Sequence, residues 1–165
     1  MKNENVKINN ALKLIIAVVV SELAGVIGSV FTAPAISSGW YANLAKPALN
    51  PPARVFGPVW TTLYALMGIA LWLVWKDKNA DPRARYRAYI LFSIQLVLNA
   101  LWPIIFFDFQ SIGGGLWEIL ALWVVILLTI IAFAKIFRPA AWLFVPYILW
   151  VSFAAYLNYS IWILN

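Results

Sequence analysis

Residues 116–134 read LWEILALWVVILLTIIAFA, nineteen residues with a single charged side chain, and this stretch decides the class of fold. A helix of that length rises about 28 Å, which nearly covers the roughly 30 Å hydrocarbon core of a bilayer. Four further apolar runs occupy residues 12–32, 56–75, 88–107 and 140–164. Because such runs are too long for the strands of a membrane barrel and lack their alternation, we predict an all-α membrane protein with a five-transmembrane-helix bundle.

The composition agrees with this interpretation, since 64% of the 165 residues are hydrophobic and only 11% are charged. A single soluble core of this size could not bury so much apolar surface. Short polar connections join the runs, which predicts sequential neighbours in one membrane domain over residues 1–165. The exception is the connection over residues 33–55, which we call the lid connection.

The basic residues predict the orientation of the bundle. If the five runs cross alternately, ten of the twelve Lys and Arg residues share one side, and the other side holds Lys46 and Arg54. Basic residues near helix ends stay on the cytoplasmic side, which predicts an N-terminus inside and a C-terminus outside. This topology accounts for the net charge of +6. Since no basic face is interleaved with aromatic residues, no nucleic acid is predicted as a partner.

The start of the chain resembles a targeting segment only superficially. The first run exceeds the 7–15 residues of a signal-peptide core and carries Glu22, so we interpret it as a spanning helix. The segment before Ser21 contains no arginine and no other serine, which argues against a transit peptide. We therefore expect an integral, multi-pass protein of a bacterial cell membrane rather than of an organelle.

The chain contains no cysteine and no histidine. Their absence excludes disulfides, thiol catalysis and thiolate metal sites, and it removes the commonest metal ligand and general base. We therefore predict no metal site, no required cofactor and no residue of conventional acid–base catalysis.

Polar and aromatic residues recur at helical spacing inside three of the runs. These sets are Trp60, Tyr64 and Gly68 in the second run, Gln95, Asn99 and Trp102 in the third, and Trp150, Ala154 and Asn158 in the fifth. Each set lies on one helical face. Because a carboxamide in hydrocarbon needs a partner, we expect these faces to point inward and to form a cavity walled by indole rings. Such a cavity suits a flat apolar ligand.

Most of the ten tryptophans have a simpler interpretation as an interfacial belt. Trp75, Trp117, Trp142 and Trp162 lie near the ends of runs, where an indole prefers the headgroup level. Ordinary helix packing remains an alternative for Trp60, Trp102 and Trp150.

Two acidic residues lie well inside apolar runs. Glu22 and Glu118 are candidates for a proton carrier or a ligand partner, because acids are costly in a bilayer. The alternative is a protonated carboxyl bonded to a neighbouring helix, or a hydrated one. This alternative is favoured for Glu118, which follows three glycines near the end of its run. Ser21, Gly25 and Ser29 form a stripe of small residues that permits close helix approach, within the chain or to a second copy.

Prolines indicate bends and mark the lid connection. Pro58, Pro103 and Pro146 fall in or at the start of spanning helices and favour bends that could widen a cavity. In the lid connection, a short amphipathic turn over residues 40–45 is stopped by Pro47, and Asn50 is predicted to cap the second spanning helix. A connection this long is often functional, although an inert loop in the headgroups is the alternative.

Several motifs in this order resemble the TspO/MBR family, also called translocator protein, peripheral-type benzodiazepine receptor or tryptophan-rich sensory protein. They are WYANLAKP at 40–47, PP at 51–52, PVW at 58–60, LY at 63–64, MG at 67–68, LNALW at 98–102, PY at 146–147, W at 150, FA at 153–154 and LNY at 157–159. The resemblance covers nearly the whole chain.

This resemblance implies a membrane protein, commonly a homodimer, that binds tetrapyrroles such as protoporphyrin IX and haem. Animal members also bind cholesterol and benzodiazepine-type drugs. Carried over by position, the ligand site would comprise Trp40, Tyr41, Pro51, Trp60, Tyr64, Asn99, Trp102, Trp150 and Ala154. The family's sterol motif needs a basic residue after the tyrosine, but Tyr159 is followed by SIWILN, so sterol binding is not expected.

Three functional classes follow from the sequence and this resemblance. The first is a ligand-binding protein for tetrapyrrole sensing or transport and stress response, which holds the porphyrin by stacking rather than by iron ligation, since histidine and cysteine are absent. The second is a light- and oxygen-dependent porphyrin-degrading enzyme that uses Trp60 or Trp150. The third is a proton-coupled small-molecule transporter with Glu22 as its proton site, although the chain shows no internal repeat.

Overall fold

The computed structural model describes residues 9–165, and these form an all-helical bundle. The helices are α1 (Asn10–Ser37), α2 (Trp40–Asn43), α3 (Phe56–Lys76), α4 (Pro82–Pro103), α5 (Ile112–Ile136), α6 (Arg138–Trp142) and α7 (Val145–Leu164). A 3₁₀ turn, Ala53–Val55, precedes α3, and a π-helical turn, Ile104–Asp108, follows α4. Within the described residues, five helical segments are long and apolar enough to cross a membrane. The predicted fold class is thereby confirmed, while the orientation of the termini stays a prediction.

The five long helices alternate in direction, so the helix ends and connections are divided between two ends of the bundle. The basic end holds the start of α1, the α3–α4 connection and the α5–α6 junction. The lid end holds α2, the start of α3, the π-helical turn and the end of α7. Helix α1 packs closely against α3 and α4, α5 packs against α4 and α7, and α6 packs against α3 at the basic end.

Helix α1 is longer than the sequence predicted, because it continues through Pro34 to Ser37. Proline in a helix removes one backbone hydrogen bond, but neighbouring groups can compensate. The hydroxyl of Ser37 donates to the carbonyl of Ala33 at 2.9 Å, one turn back. The helix then ends before Gly39, whose φ of 78° is in the left-handed region that favours glycine. The lid connection is correspondingly shortened to residues 38–55.

The fifth run is divided into two helices rather than one. The chain turns at Leu143 and Phe144 between α6 and α7. Pro146 occupies the first turn of α7, where its missing N–H would be unsatisfied in any helix. Pro58 lies likewise in the first turn of α3, and Pro103 ends α4 and leads into the π-helical turn. Pro58 and Pro146 therefore lie in the first turns of their helices, whereas Pro103 lies where the helical segment changes from α to π geometry; the predicted bends stay predictions.

The predicted cap at Asn50 is wrong. Its side chain accepts a hydrogen bond from the Tyr41 hydroxyl at 3.3 Å and donates to the carbonyl of Pro51. Helix α3 begins six residues after Asn50, following the 3₁₀ turn, so a side chain at position 50 is too far from its first amides.

Candidate functional site

A chain of hydrogen bonds joins three helices in the middle of the bundle. The hydroxyl of Tyr64 on α3 donates to Asn99 Oδ1 on α4. Asn99 Nδ2 donates to the Tyr147 hydroxyl on α7 at 2.7 Å, and that hydroxyl donates to Gln95 Oε1 at 3.0 Å. All four side chains are at most 5% exposed. We call these four residues the polar network; its members satisfy one another, except that Gln95 Nε2 has no partner.

Small residues of α1 position the α3 side of this network. The ring of Tyr64 lies directly against Gly25, so that a Cβ at position 25 would collide with it. One turn further along α3, a Cβ on Gly68 would be 2.5 Å from Cα of Val18. Gly25 belongs to the predicted stripe of small residues, and the helix that approaches there is therefore α3 of the same chain. Close backbone contact of this kind is typical of membrane helices.

Trp60 packs on the same network. Its ring stacks on Tyr64, with centroids 5.6 Å apart and an interplanar angle of 29°, and it meets Tyr147 edge-on at 6.2 Å. Trp60 is half-buried. The indole and the two phenols therefore form one continuous aromatic surface between α3 and α7.

Trp102 belongs to a second aromatic cluster, at the lid end. Its ring stacks on Phe106 at 4.9 Å, and its Nε1 donates to Asn158 Oδ1 at 3.2 Å. From the lid connection, Trp40 meets Phe106 at 5.8 Å and Tyr41 meets Phe107 at 5.5 Å. We call this group the lid cluster. It anchors α2 on the turn that follows α4.

Hydrogen bonds tie the rest of the lid connection to the bundle. The side chain of Asn165 pairs with both backbone groups of Ala45: its Oδ1 accepts at 3.0 Å and its Nδ2 donates at 3.1 Å. The ammonium of Lys46 donates to the carbonyls of Ala42 and Leu44 and lies 4.7 Å from the ring centroid of Tyr41. Burial raises the pKa of the Tyr41 phenol, and its hydrogen bond to the Asn50 side chain offsets this only partly, so the phenol stays neutral.

Trp150 lines a groove that opens between α3 and α7. The groove has a volume of about 570 Å³, and its walls are apolar except for the Thr62 hydroxyl and the Trp150 indole; the lining residues are Pro58, Val59, Thr62, Leu63, Leu66, Pro146, Leu149, Trp150 and Phe153. The indole meets Phe56 edge-on at 5.9 Å. Its Nε1 is buried and has no hydrogen-bond partner within the described part of the chain. An unpaired buried donor is energetically costly.

The structure thus distributes seven of the nine predicted ligand-binding residues over three places, and the other two lie elsewhere. Tyr64, Asn99 and Trp60 form or touch the polar network, while Trp40, Tyr41 and Trp102 form the lid cluster. Of the nine, only Trp150 lines the groove. Ala154 is half-buried against the main core, and Pro51 is half-buried in the lid connection. Ligand contact by these residues and the shared chamber walled by Trp60, Trp102 and Trp150 stay predictions; of the three tryptophans, Trp150 alone lines this groove.

Sequence reasoning missed Tyr147, the residue through which the polar network passes. Tyr147 is fully buried and binds both carboxamides of α4. The signal was present, since Tyr147, Val151, Ala154 and Asn158 recur at i, i+4, i+7 and i+11. That face includes Asn158, whose Nδ2 donates to the carbonyl of Ile112 at 2.8 Å. The inward face of α7 is therefore centred on Tyr147 rather than on Trp150.

The two intramembrane acids lie in different surroundings. Glu118 is only 9% exposed, and both of its carboxyl oxygens are buried without a partner among the described residues, which disfavours the hydrated form of the alternative and shows no bond to a neighbouring helix. Glu22 is half-buried on α1, one turn before the glycine that touches Tyr64. Because an unpaired carboxylate is far costlier to bury than a carboxylic acid, Glu118 is expected to be protonated.

Comparison with known proteins gives consistent matches along the chain. The family model described as TspO/MBR family matches residues 17–163. The chain is similar to Tryptophan-rich protein TspO of Chlorobaculum tepidum, with 46% identity over 86% of this chain and 88% of the relative. It is also similar to Tryptophan-rich protein TspO of Archaeoglobus fulgidus, with 39% identity over 94% of this chain and 99% of the relative. Translocator protein of Homo sapiens is 39% identical over 74% of this chain and 73% of its own length.

Proposed function

Since the chain belongs to the TspO/MBR family, we propose that it binds tetrapyrroles such as protoporphyrin IX, haem and related flat apolar ligands in the groove between α3 and α7. The protein is an integral, multi-pass membrane protein. The proposed binding would serve tetrapyrrole sensing or transport and the response to stress. The ligand class is the one that the family resemblance implies.

The observation that carries the proposal is the groove itself. Its volume of about 570 Å³ lies within the roughly 300–1,000 Å³ of small-molecule sites, and its walls are mostly apolar, as such sites are. Trp150 supplies a flat ring for stacking and an unpaired Nε1 donor. A porphyrin offers a large π-face together with carboxylate oxygens that could accept that hydrogen bond. The hydroxyls of Tyr64 and Tyr147 and the Asn99 side chain are all paired within the polar network, so we assign the network mainly to positioning α3 and α7.

The test is quenching of tryptophan fluorescence during titration with protoporphyrin IX in the dark. Trp150→Phe should weaken binding about ten-fold, since a lost hydrogen bond and poorer stacking together cost roughly 1.5 kcal/mol. The matched control is Trp117→Phe, because Trp117 is 74% exposed on α5 and lies outside the groove. Haemin should bind as tightly as the metal-free porphyrin if stacking and shape hold the ligand. Absence of saturable binding, or equal affinity in the two variants, would refute the proposal.

The same titration under illumination distinguishes the enzymatic alternative. An unchanged porphyrin absorption spectrum supports binding alone. A new product that requires light and oxygen, and that disappears in Trp60→Phe or Trp150→Phe, would instead identify the protein as a porphyrin-degrading enzyme. The homodimer implied by the resemblance also stays a prediction. The mass of the purified protein–detergent complex would give the number of chains in it.

A further inference from the structure

A second pocket, of about 310 Å³, opens at the basic end of the bundle, where three segments of the chain meet. It is lined by Asn10, Leu73, Lys76, Asp77, Lys78, Asn79 and Phe137. These residues come from the start of α1, the end of α3 with the connection to α4, and the α5–α6 junction. None of them lines the groove between α3 and α7. We call this space the basic pocket.

Two lysines bring positive charge to the basic pocket, and one of them is held in place. The ammonium of Lys76 lies 3.8 Å from the ring centroid of Trp72, a cation–π contact that orients the side chain without neutralising it. Trp72 Nε1 in turn donates to the carbonyl of Asn10 at 3.0 Å. The last turn of α3 and the first residue of α1 are therefore fixed relative to each other. Lys78 adds a second, exposed cation.

Hydrogen bonds also fix the α3–α4 connection, which forms one wall of the basic pocket. The guanidinium of Arg85 donates to the carbonyl of Asp77 and, at 3.4 Å, to that of Ala80. The carboxylate of Asp77 accepts the backbone N–H of Asn79 at 2.8 Å. The acidic group of the lining is thus engaged by its own loop.

The remaining wall is apolar and adjoins the spanning helices. Leu73 is half-buried on α3, and Phe137 is 37% exposed between α5 and α6. The described residues of the basic end include eight Lys or Arg, namely Lys13, Lys76, Lys78, Arg83, Arg85, Arg87, Lys135 and Arg138, against two acids, Asp77 and Asp81. A pocket with cations at its mouth and an apolar wall toward the bilayer matches an anionic phospholipid, whose phosphate would meet the lysines while its acyl chains lie along Leu73 and Phe137.

We propose that the basic pocket binds the head group of an anionic phospholipid. The chemistry that is recognised is a phosphodiester next to acyl chains, with Lys76 and Lys78 as its cationic partners and the Asn79 side chain as a further donor. The site is independent of the groove and of any ligand bound there. Its pocket volume of about 310 Å³ suits a head group and not the whole lipid.

The test measures lipid retention by the intact chain in detergent, using native mass spectrometry with phosphatidylglycerol and phosphatidylcholine of identical acyl chains. The wild-type protein should retain phosphatidylglycerol preferentially. Lys76→Gln/Lys78→Gln should weaken this binding about five-fold per lysine removed, since each is worth roughly 1 kcal/mol near an anionic surface. The matched control is Arg83→Gln/Arg87→Gln, which removes two exposed charges of the same end that do not line the pocket.

Equal loss of phosphatidylglycerol in both double variants would overturn the proposal, because it would indicate diffuse attraction to the basic end. Equal retention of the two lipids by the wild type would overturn it as well. A third arm adds inorganic phosphate or glycerol 3-phosphate without lipid. Binding of these as tight as that of phosphatidylglycerol would identify a site for a soluble phosphate and refute a lipid site. Far-UV circular dichroism of each variant verifies that the helices are intact.

Discussion

Replacing Tyr147 by phenylalanine removes one oxygen atom from the centre of the polar network. That oxygen accepts from Asn99 Nδ2 at 2.7 Å and donates to Gln95 Oε1 at 3.0 Å. Tyr147→Phe leaves one buried donor and one buried acceptor without partners, while the ring keeps its packing. We therefore expect a loss of stability that comes almost entirely from hydrogen bonding.

The magnitude follows from the two orphaned groups. A buried unsatisfied group costs roughly 1–3 kcal/mol in soluble proteins, whereas hydrogen bonds between membrane helices average about 0.6 and reach about 1.7 kcal/mol. Both bonds of Tyr147 join side chains that are almost fully buried, which places them in the upper part of the membrane range. The expected destabilisation is about 2 kcal/mol for the pair.

The assay is reversible unfolding in mixed micelles titrated with sodium dodecyl sulfate, followed by far-UV circular dichroism. The control is Tyr159→Phe, the same chemical change on the same helix. Tyr159 is 49% exposed, and its hydroxyl makes no hydrogen bond within the described residues. A double variant, Gln95→Leu/Tyr147→Phe, should cost about 1 kcal/mol less than the sum of the single variants, because the orphaned acceptor is removed with its partner. If Tyr147→Phe and Tyr159→Phe unfold within about 0.5 kcal/mol of each other, the network contributes nothing to stability and the reasoning fails.

Two further predictions concern helix contact and the lid connection. Gly68→Ala should destabilise the protein by about 1–3 kcal/mol, because the new Cβ would meet the backbone of Val18 and force α1 away from α3. The control is Gly57→Ala, where a Cβ meets nothing within 4 Å and the substitution should be neutral or slightly stabilising. Similar unfolding midpoints for the two variants would contradict the close approach of α1 and α3. Asn165→Ala should speed hydrogen exchange of the Ala45 amide, because the variant loses both hydrogen bonds between the Asn165 side chain and the Ala45 backbone. The amides of α5 should exchange as before. Unchanged exchange at Ala45 would show that the Asn165–Ala45 pair is not formed in the membrane.

The five spans were predictable because hydrocarbon imposes length and composition on any helix that crosses it. Helix ends were less predictable, since they depend on local bonds that composition does not reveal. Pro34 lies within α1, which continues through it to Ser37, whereas the turn at Leu143 and Phe144 precedes a proline that begins the next helix. The same residue type therefore has different consequences at positions 34 and 146.

Spacing along one helix identified which side chains face inward, but not which partners they meet. Gln95 and Asn99 were expected to need partners, and their partners are phenol hydroxyls of two other helices. Trp102 was grouped with Trp60, yet it pairs with Asn158 at the lid end. Which helices adjoin in a five-helix bundle is a property of tertiary packing, and a one-helix periodicity contains no information about it.

The aromatic residues differ in whether their donors have hydrogen-bond partners. Trp60 and Tyr64 pack on a network whose hydrogen bonds are internal, and Trp102 and Trp123 donate to Asn158 and Ser152. Trp150 differs because it lines the open groove, and its Nε1 is buried with no partner among the described residues. Filling the groove with purely apolar lipid would leave that donor unsatisfied, whereas a ligand with a well-placed acceptor would relieve the cost. Selectivity in the groove should therefore depend on a polar edge on an otherwise flat apolar ligand. A porphyrin ester should bind less tightly than the free acid, because ester oxygens are weaker hydrogen-bond acceptors than carboxylate oxygens.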